Sequence, residues 1–277
     1  MSDPGPLEYL RRWPLRAWLI AVALFLYLPL ATLIVFSFND SKRTILWKGF
    51  TLDWYTKLFA DTDLLTAFGN SLAIALLSTI ISTLLGTLTA LLLWRFRFPG
   101  KPLFEGALAL PIVVPEICLG VAFLVFFNTV LRWPPEPWPL NLGAITIAHV
   151  SFSFSFVALV VRARLASFDR NLEDAARDLG ASEWPIVRDI IVPHIRPGLI
   201  AGALLAFTLS LDDFVITFFT SGPDTVTFPV KVYAMVRFSV TPEVNAASTL
   251  LIVVTVGLTA LALRMQGTDL VKTQAAA

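Results

Sequence analysis

The sequence predicts an all-α integral membrane protein with six transmembrane helices. Hydrophobic residues make up 56% of the 277 residues and charged residues only 15%, whereas soluble domains average roughly 45–50% and about 25%. The charges are also unevenly placed, because six stretches hold few or none of them. Each stretch approaches or exceeds the roughly 20 residues that cross a bilayer as a helix, the form in which a single segment satisfies its own backbone hydrogen bonds in lipid.

The predicted spans follow one another within a single membrane domain, residues 1–277. The first is too long for the apolar core of a signal peptide, and no small-residue cleavage site follows it, so we expect it to be retained. The sequence WPPEPWP at Trp133–Pro139 predicts a proline-rich turn that cannot be helical. The predicted bounds are about 17–38, 70–94, 105–131, 142–163, 197–219 and 244–264.

Lysine and arginine near the spans predict the orientation. One set of connections carries 14 of these residues and the opposite set carries 7. Because cytoplasmic loops are enriched in Lys and Arg, both termini and the loop 165–196 are predicted to be cytoplasmic. The tryptophans that flank spans at the predicted outer interface are Trp47, Trp54, Trp133 and Trp138.

Composition also excludes several classes of function. A formal net charge of +1 with no charged tail gives no indication of a nucleic-acid partner. Two histidines and one cysteine are too few for a conventional metal site or a disulfide framework, and Cys118 is predicted to be a small buried thiol. We therefore expect no metal site in this chain.

The loop between spans four and five has the most specific local pattern. Residues 172–179 are expected to form a helix that Asn171 caps and Gly180 ends, since glycine adopts left-handed conformations. Ser182 is expected to cap a second short helix, and Pro193 and Pro197 to break the chain before span five. The loop would then present a rigid, partly apolar surface to the cytoplasm, or merely join two spans.

This loop resembles the EAA loop of bacterial binding-protein-dependent ABC importer permeases. That pattern is E-A-A, three residues, G, nine residues and I-x-L-P, and the spacing here matches throughout. Asp174 replaces the Glu and Val192 replaces the Leu, so charge and apolar character are kept. The resemblance implies the type I ABC importer permease fold and a coupling helix that docks on a separate ATPase. The residues it assigns to coupling are Asp174, Ala175, Ala176, Gly180, Glu183 and Pro193.

Carboxylates inside the spans are the other functional indication. Glu116 follows two prolines, Pro111 and Pro115, that should kink span three, and Asp212 and Asp213 lie in span five. A charge at membrane depth costs roughly 2.5–3.5 kcal/mol on insertion scales, so such residues usually face a partner or an aqueous path. The alternatives are acids at a helix end near water and prolines that only shape packing. On a helix, adjacent acids point about 100° apart, so we expect only one to face the path.

Several segments resemble the second permease of putrescine and spermidine importers. They are FTLSLDDFVITFFTSGP at Phe207–Pro223, VPE at Val114–Glu116, SFNDS before Trp47, WKGFTLDWY at Trp47–Tyr55 and TPEVNAASTL at Thr241–Leu250. Glu116 stands where those permeases carry Asp, which keeps the negative charge. The resemblance favours a polyamine path, in which Trp47 contributes a cation–π contact or is an interfacial anchor, and Ser210 is a hydrogen-bond partner or a packing residue. The candidate path residues are Glu116, Asp212, Asp213, Ser210 and Trp47.

The resemblance also implies partners and a location. These are a second homologous permease, an ATPase dimer that holds ATP and Mg²⁺, a periplasmic substrate-binding protein and the lipid of the bacterial cytoplasmic (inner) membrane. This chain has no phosphate-binding loop of the form G-x-x-x-x-G-K-[ST], so we expect it to bind no cofactor itself. Two alternatives stay open. One is an ABC permease for an opine, ferric iron or thiamine, and the other is a cation-coupled secondary transporter or channel.

Overall fold

The computed structural model describes residues 13–41, 46–130, 140–238 and 241–275. In this part of the chain the regular structure is helical, with one isolated β-bridge between Asn39 and Phe50. The predicted turn Trp133–Pro139, including Trp133 and Trp138, lies outside the described residues. The helices are α1 (Trp13–Phe36), α2 (Asp53–Ala60), α3 (Thr62–Arg95), α4 (Lys101–Val113), α5 (Glu116–Val125), α6 (Leu142–Leu165), α7 (Asn171–Asp178), α8 (Glu183–Ile186), α9 (Val192–Leu211), α10 (Val215–Thr220), α11 (Phe228–Phe238) and α12 (Pro242–Ala275).

The all-α membrane fold predicted from the sequence is confirmed. By length and composition, five of the described helices can cross a membrane, and the count becomes six if the bent pair α4 and α5 is one span. The helices run past the predicted bounds in several places. The helix of the second span begins at Thr62, and the helical stretch of the fifth begins at Glu183.

The chain divides into two compact units, residues 1–62 with 232–253, and residues 63–231 with 254–277. In the first unit the chain after α1 folds back on α2 through polar contacts. The Ser37 hydroxyl lies 2.7 Å from the Tyr55 hydroxyl, and the Trp54 indole N–H donates to the Asn39 carbonyl at 2.9 Å. Trp54 is therefore an indole with a satisfied N–H, as interfacial tryptophans require.

In the second unit, α3, α6 and α9 enclose an apolar core next to the loop 165–196. Ala90, Val157, Val161 and Ala206 form its helical part, and all four side chains are fully buried. Cys118 is exposed, so the prediction of a buried thiol was wrong. Cys118 lies two residues before Gly120, which packs against α10. Because two residues turn a helix by about 200°, the Cys118 side chain points away from that contact.

Two local predictions about the loop 165–196, on Asn171 and on the two prolines, were also wrong, and the one on Ser182 was confirmed in position only. Asn171 is the first helical residue rather than a cap, because its own N–H bonds to the Asp169 carboxylate at 3.0 Å. Ser182 has the extended backbone of an N-cap, but its side chain makes no capping bond. Pro193 and Pro197 do not break the chain. Pro193 lies in the first turn of α9, where a missing N–H is tolerated, and a π-helical turn at Val187–Ile191 precedes it.

Candidate functional site

Two predicted spans are broken in the middle, and the breaks lie at the predicted carboxylates. Val114 and Pro115 are extended between α4 and α5, whose axes differ by 108°. Since a residue that precedes proline disfavours the helical region, Pro115 accounts for the break at Val114. In the fifth span the helix stops at Leu211 and restarts at Val215, after Asp212 and Asp213.

Close packing of α5 on α10 brings the two breaks together. A Cβ atom on Gly120 would lie 2.6 Å from Cδ2 of Phe219 and 3.3 Å from the Val215 carbonyl oxygen. Only glycine allows this approach without displacing the Phe219 ring. As a result, the charge of Asp213 interacts with that of Glu116, and Asp212 interacts with both.

The three carboxylates differ in exposure. Glu116 and Asp212 are exposed on this chain, whereas the side chain of Asp213 is only 5% exposed. Glu116 lies in the first turn of α5, where the helix dipole stabilises a negative charge, and Asp212 follows the last turn of α9, where the carbonyl ends add partial negative charge. The breaks therefore present two accessible acids and a helix C-terminus, a combination that attracts cations.

Asp213 belongs to a buried polar network of Ser78, His149, Ser210, Asp213 and Thr217, which we call the His149 network. His149 Nδ1 lies 2.7 Å from the Ser210 hydroxyl, to which the Ser78 hydroxyl donates at 2.8 Å. His149 Nε2 lies 2.9 Å from the Thr217 hydroxyl and 3.4 Å from Asp213 Oδ1. The Thr217 N–H and hydroxyl both donate to Asp213 Oδ1, at 2.8 and 2.9 Å.

One of the predicted path residues, Ser210, thus occupies a position other than an open path. Ser210 is buried and contacts Ser78 and His149, not the acids. Trp47 lies in the other compact unit, is 49% exposed and packs edge-on against Phe36 at 6.2 Å. The structure brings together the other three: Glu116, Asp212 and Asp213.

The residues predicted to couple to an ATPase lie together on the loop 165–196. Gly180 has φ +85° and ends α7, as predicted. Asp174, Ala175 and Glu183 are exposed, and Ala176 is partly buried against the apolar core. Pro193 is exposed at the start of α9. The loop therefore has one side packed on the core and one side open.

Ion pairs hold this loop on the end of α3. Arg95 bonds to the carboxylate of Glu173 and, at 3.0 Å, to Glu183. Arg177 bonds to Glu173 at 3.2 Å, to Glu183 at 3.1 Å and to Asp174 at 3.0 Å. The hydrogen bond from Arg177 lowers the pKa of the Glu183 carboxyl. We call Arg95, Glu173, Arg177 and Glu183 the Arg95 cluster.

Sequence reasoning did not identify several of these residues. Glu173, whose side chain is 4% exposed, adjoins the recognised motif but was not singled out, and Arg95 was counted only as a loop cation. His149 was also not singled out, and both its ring nitrogens have partners. A histidine and a serine at membrane depth were the available signals for the His149 network.

Comparison with known proteins agrees with the fold and identifies the family. Residues 82–268 match the family described as binding-protein-dependent transport system inner membrane component. The spermidine/putrescine transport system permease protein PotC of Escherichia coli K12 is 41% identical over 85% of this chain and 87% of PotC. The putrescine transport system permease protein PotI of the same strain is 41% identical over 85% of each chain.

A solved structure has the same fold at low identity. It is a bacterial ABC transporter involved in the import of the acidic polysaccharide alginate. The match has a TM-score of 0.75 and 20% identity, and it covers 93% of this chain and 96% of that one. The extent of the family match and the identity to PotC and PotI lead to one conclusion. This chain belongs to the family of inner membrane components of binding-protein-dependent transport systems.

Proposed function

We propose that this chain is one permease subunit of an ATP-driven importer of putrescine or spermidine. The observation that carries the proposal is the pair of exposed acids, Glu116 and Asp212, at two adjacent breaks in membrane spans. The 41% identity to PotC and PotI supports the same cargo class. The fold alone does not set the cargo, because a transporter with this fold imports an acidic polysaccharide.

Carboxylates at these breaks suit a cargo with two or three ammonium groups. Stripping water from an ammonium is costly unless a counter-charge or hydrogen-bond acceptor replaces it. Asp212 and Glu116 supply two carboxylates that one elongated cation can contact, and the C-terminal end of α9 supplies carbonyl dipoles. Trp47 remains a candidate for a cation–π contact of roughly 0.5–2 kcal/mol at the predicted outer mouth.

The proposed transporter has three further kinds of subunit. The loop 165–196 docks on an ATPase, two copies of which bind and hydrolyse ATP with Mg²⁺. A second, homologous permease completes the membrane path, and a periplasmic binding protein delivers the cargo. This chain then acts as a transport subunit and not as an enzyme, and the apolar helices anchor it in the cytoplasmic membrane.

The proposal can be tested with the complete transporter, assembled from this chain and its three partner subunits in proteoliposomes. Uptake of labelled putrescine and spermidine is measured with ATP on the ATPase side. We expect Asp212→Asn and Glu116→Gln to lower uptake at least about tenfold, the effect of losing roughly 1.4 kcal/mol of binding. The charge-retaining variants Asp212→Glu and Glu116→Asp are the matched controls and should keep most of the uptake. Uptake at the wild-type rate in both neutral variants would contradict the path.

Competition and omission experiments address the alternatives. If unlabelled thiamine, an opine or ferric iron inhibits labelled polyamine uptake more strongly than polyamines do, the cargo is wrong but the permease class stands. Uptake that continues when the ATPase is omitted would instead indicate a cation-coupled secondary transporter. We expect no uptake without the ATPase, because the Asp174–Pro193 pattern is typical of a coupling loop.

A further inference from the structure

We infer that His149 is a positioning residue that determines which of the two adjacent acids meets the cargo. His149 and Thr217 hold Asp213 inside the protein as the cap of α10, and this leaves Asp212 at the break as the carboxylate for the cation. The cargo in this inference rests on the function proposed above. The assignment of the two acids rests on the buried contacts of the His149 network.

The contacts of Thr217 determine how its hydroxyl interacts with His149. The Thr217 hydroxyl has one proton, which it donates to Asp213, so at its contact with His149 Nε2 it must accept. Nε2 therefore carries a proton. Nδ1 lies 2.7 Å from the Ser210 hydroxyl, whose oxygen accepts from Ser78. Both ring nitrogens of His149 and Oδ1 of Asp213 therefore have hydrogen-bond partners inside the protein.

The cost of burial explains why this network is needed. His149 is 2% exposed, and the Asp213 side chain is 5% exposed. A buried carboxylate without partners is expensive, whereas one that accepts several hydrogen bonds is tolerated. The Thr217 N–H and hydroxyl supply two of these bonds, and His149 orients the hydroxyl by donating to it.

Asp213 also determines where the second half of span five begins. Its carboxylate accepts the N–H of Thr217, one of the first-turn donors of α10 that have no partner within the helix. Asp212 directly precedes Asp213, at the end of α9. If Asp213 leaves its position, α10 loses its cap and the backbone of Asp212 shifts with it.

His149, Ser78 and Ser210 extend this control to other elements. His149 lies on α6, Ser78 on α3 and Ser210 on α9, so the network connects both halves of the broken span to two unbroken helices. The position of Asp212 relative to Glu116 thus depends on hydrogen bonds made by Ser210, two residues before it, by Asp213, the next residue, and by side chains across the bundle.

The test measures KM and maximal rate of uptake in the assembled transporter. We expect His149→Leu to raise the KM for putrescine and spermidine about tenfold, as expected for a misplaced charged contact worth roughly 1.4 kcal/mol. His149→Gln should restore a KM near that of the wild type, because its amide N–H can reach the Thr217 hydroxyl. Thr217→Val removes the hydroxyl without changing the shape of the side chain, and it should reproduce the effect of His149→Leu.

A double-mutant cycle distinguishes positioning from a general loss of structure. The effects of His149→Leu and Asp213→Asn should be strongly non-additive, because both act through the same hydrogen bonds. The effects of His149→Leu and Arg188→Gln should be close to additive, because Arg188 is 72% exposed on the loop 165–196 and pairs with Asp189, outside the network. If His149→Leu prevents assembly, Thr217→Val and His149→Gln still provide the comparison.

The uptake measurements distinguish a failure of the role of His149 from a failure of the proposed path. A wild-type KM in His149→Leu or Thr217→Val, together with loss of uptake in Asp212→Asn, would overturn the role of His149 and leave the path intact. Normal uptake in Asp212→Asn would overturn the proposed path itself. A fall in maximal rate without a change in KM would contradict positioning of the cargo-contacting acid.

Discussion

Gly180 shows how a single residue shapes the loop 165–196. Its φ of +85° lies in the left-handed region that favours glycine, and the N–H groups of Gly180 and Ala181 bond to the carbonyls of Arg177 and Ala176, each at 2.9 Å. This is the hydrogen-bonded helix end that turns the chain from α7 to α8. No heavy atom lies within 4 Å of the position of a Cβ on Gly180, so backbone conformation, and not space, restricts the residue.

The effect of replacing Gly180 should therefore depend on how well the new residue tolerates the left-handed conformation. Gly180→Val is expected to cost at least about 1–2 kcal/mol for that conformation, to distort the loop and to weaken association with the ATPase. Gly180→Asn is the matched control, because asparagine tolerates this conformation at helix ends. Co-purification of the ATPase with each variant is the measurement. Equal loss with Asn and Val would show that side-chain volume matters there, and not backbone conformation.

Residues with local requirements could be predicted from sequence, and residues with distant partners could not. The spacing of Asp174, Ala175, Ala176 and Gly180 identified the loop because each requirement is met within a few residues. The partner of Glu173 is Arg95, 78 residues away, and the partner of Ser210 is His149, 61 residues away. Hydropathy and motif spacing contain no information about such pairs, so these roles appear only in three dimensions.

Among the helices, proline has opposite outcomes in different places. Pro115 ends a helix because it forces the preceding Val114 into an extended conformation. The sequence predicted a kink in span three, and the structure has a complete break there. Pro193 and Pro197 lie within a continuous helical stretch, and a π-helical turn precedes them. The break at Asp212–Phe214 contains neither proline nor glycine, and no sequence rule predicted it, because it depends on the carboxylate of Asp213 bonding to Thr217.

The Arg95 cluster connects three elements, the end of α3, α7 and α8, and it should transmit their relative movement. Arg95→Gln removes two ion pairs and leaves Glu173, which is 3% exposed, with one cationic partner. Weakening the charged hydrogen bonds of a buried carboxylate costs about 1–3 kcal/mol. We expect ATP hydrolysis to continue while the cargo imported per ATP falls.

The control for this variant is Arg188→Gln. Arg188 is on the same loop, but its side chain is 72% exposed, and its pair with Asp189 is 3.6 Å long, so its loss should change little. Uptake and ATP hydrolysis are measured in the same proteoliposomes. If both arginine variants have the wild-type ratio of cargo to ATP, the Arg95 cluster does not transmit movement to α3.

For the whole molecule, the surface of the loop matters more than its interior. Leu179 is 89% exposed, Trp184 is 70% exposed and Leu172 is 50% exposed, whereas Ile186 on the same loop is buried in the core. Large apolar side chains in a polar, charged loop usually mark a protein–protein contact. The ion pairs and the core fix the loop on the membrane helices, so these exposed side chains are presented in one arrangement to a partner.

Trp184 is expected to be the main anchor of that contact, because large aromatic side chains supply much of the binding energy at interfaces. Trp184→Ala should weaken ATPase association by at least about 2 kcal/mol, or roughly thirtyfold in Kd. Trp18→Ala is the matched control. It changes an indole that is 71% exposed but lies on the apolar helix α1, where lipid is the expected neighbour. Titration of the detergent-solubilised permease pair with the ATPase gives both values, and equal affinities would exclude the loop surface as the docking site.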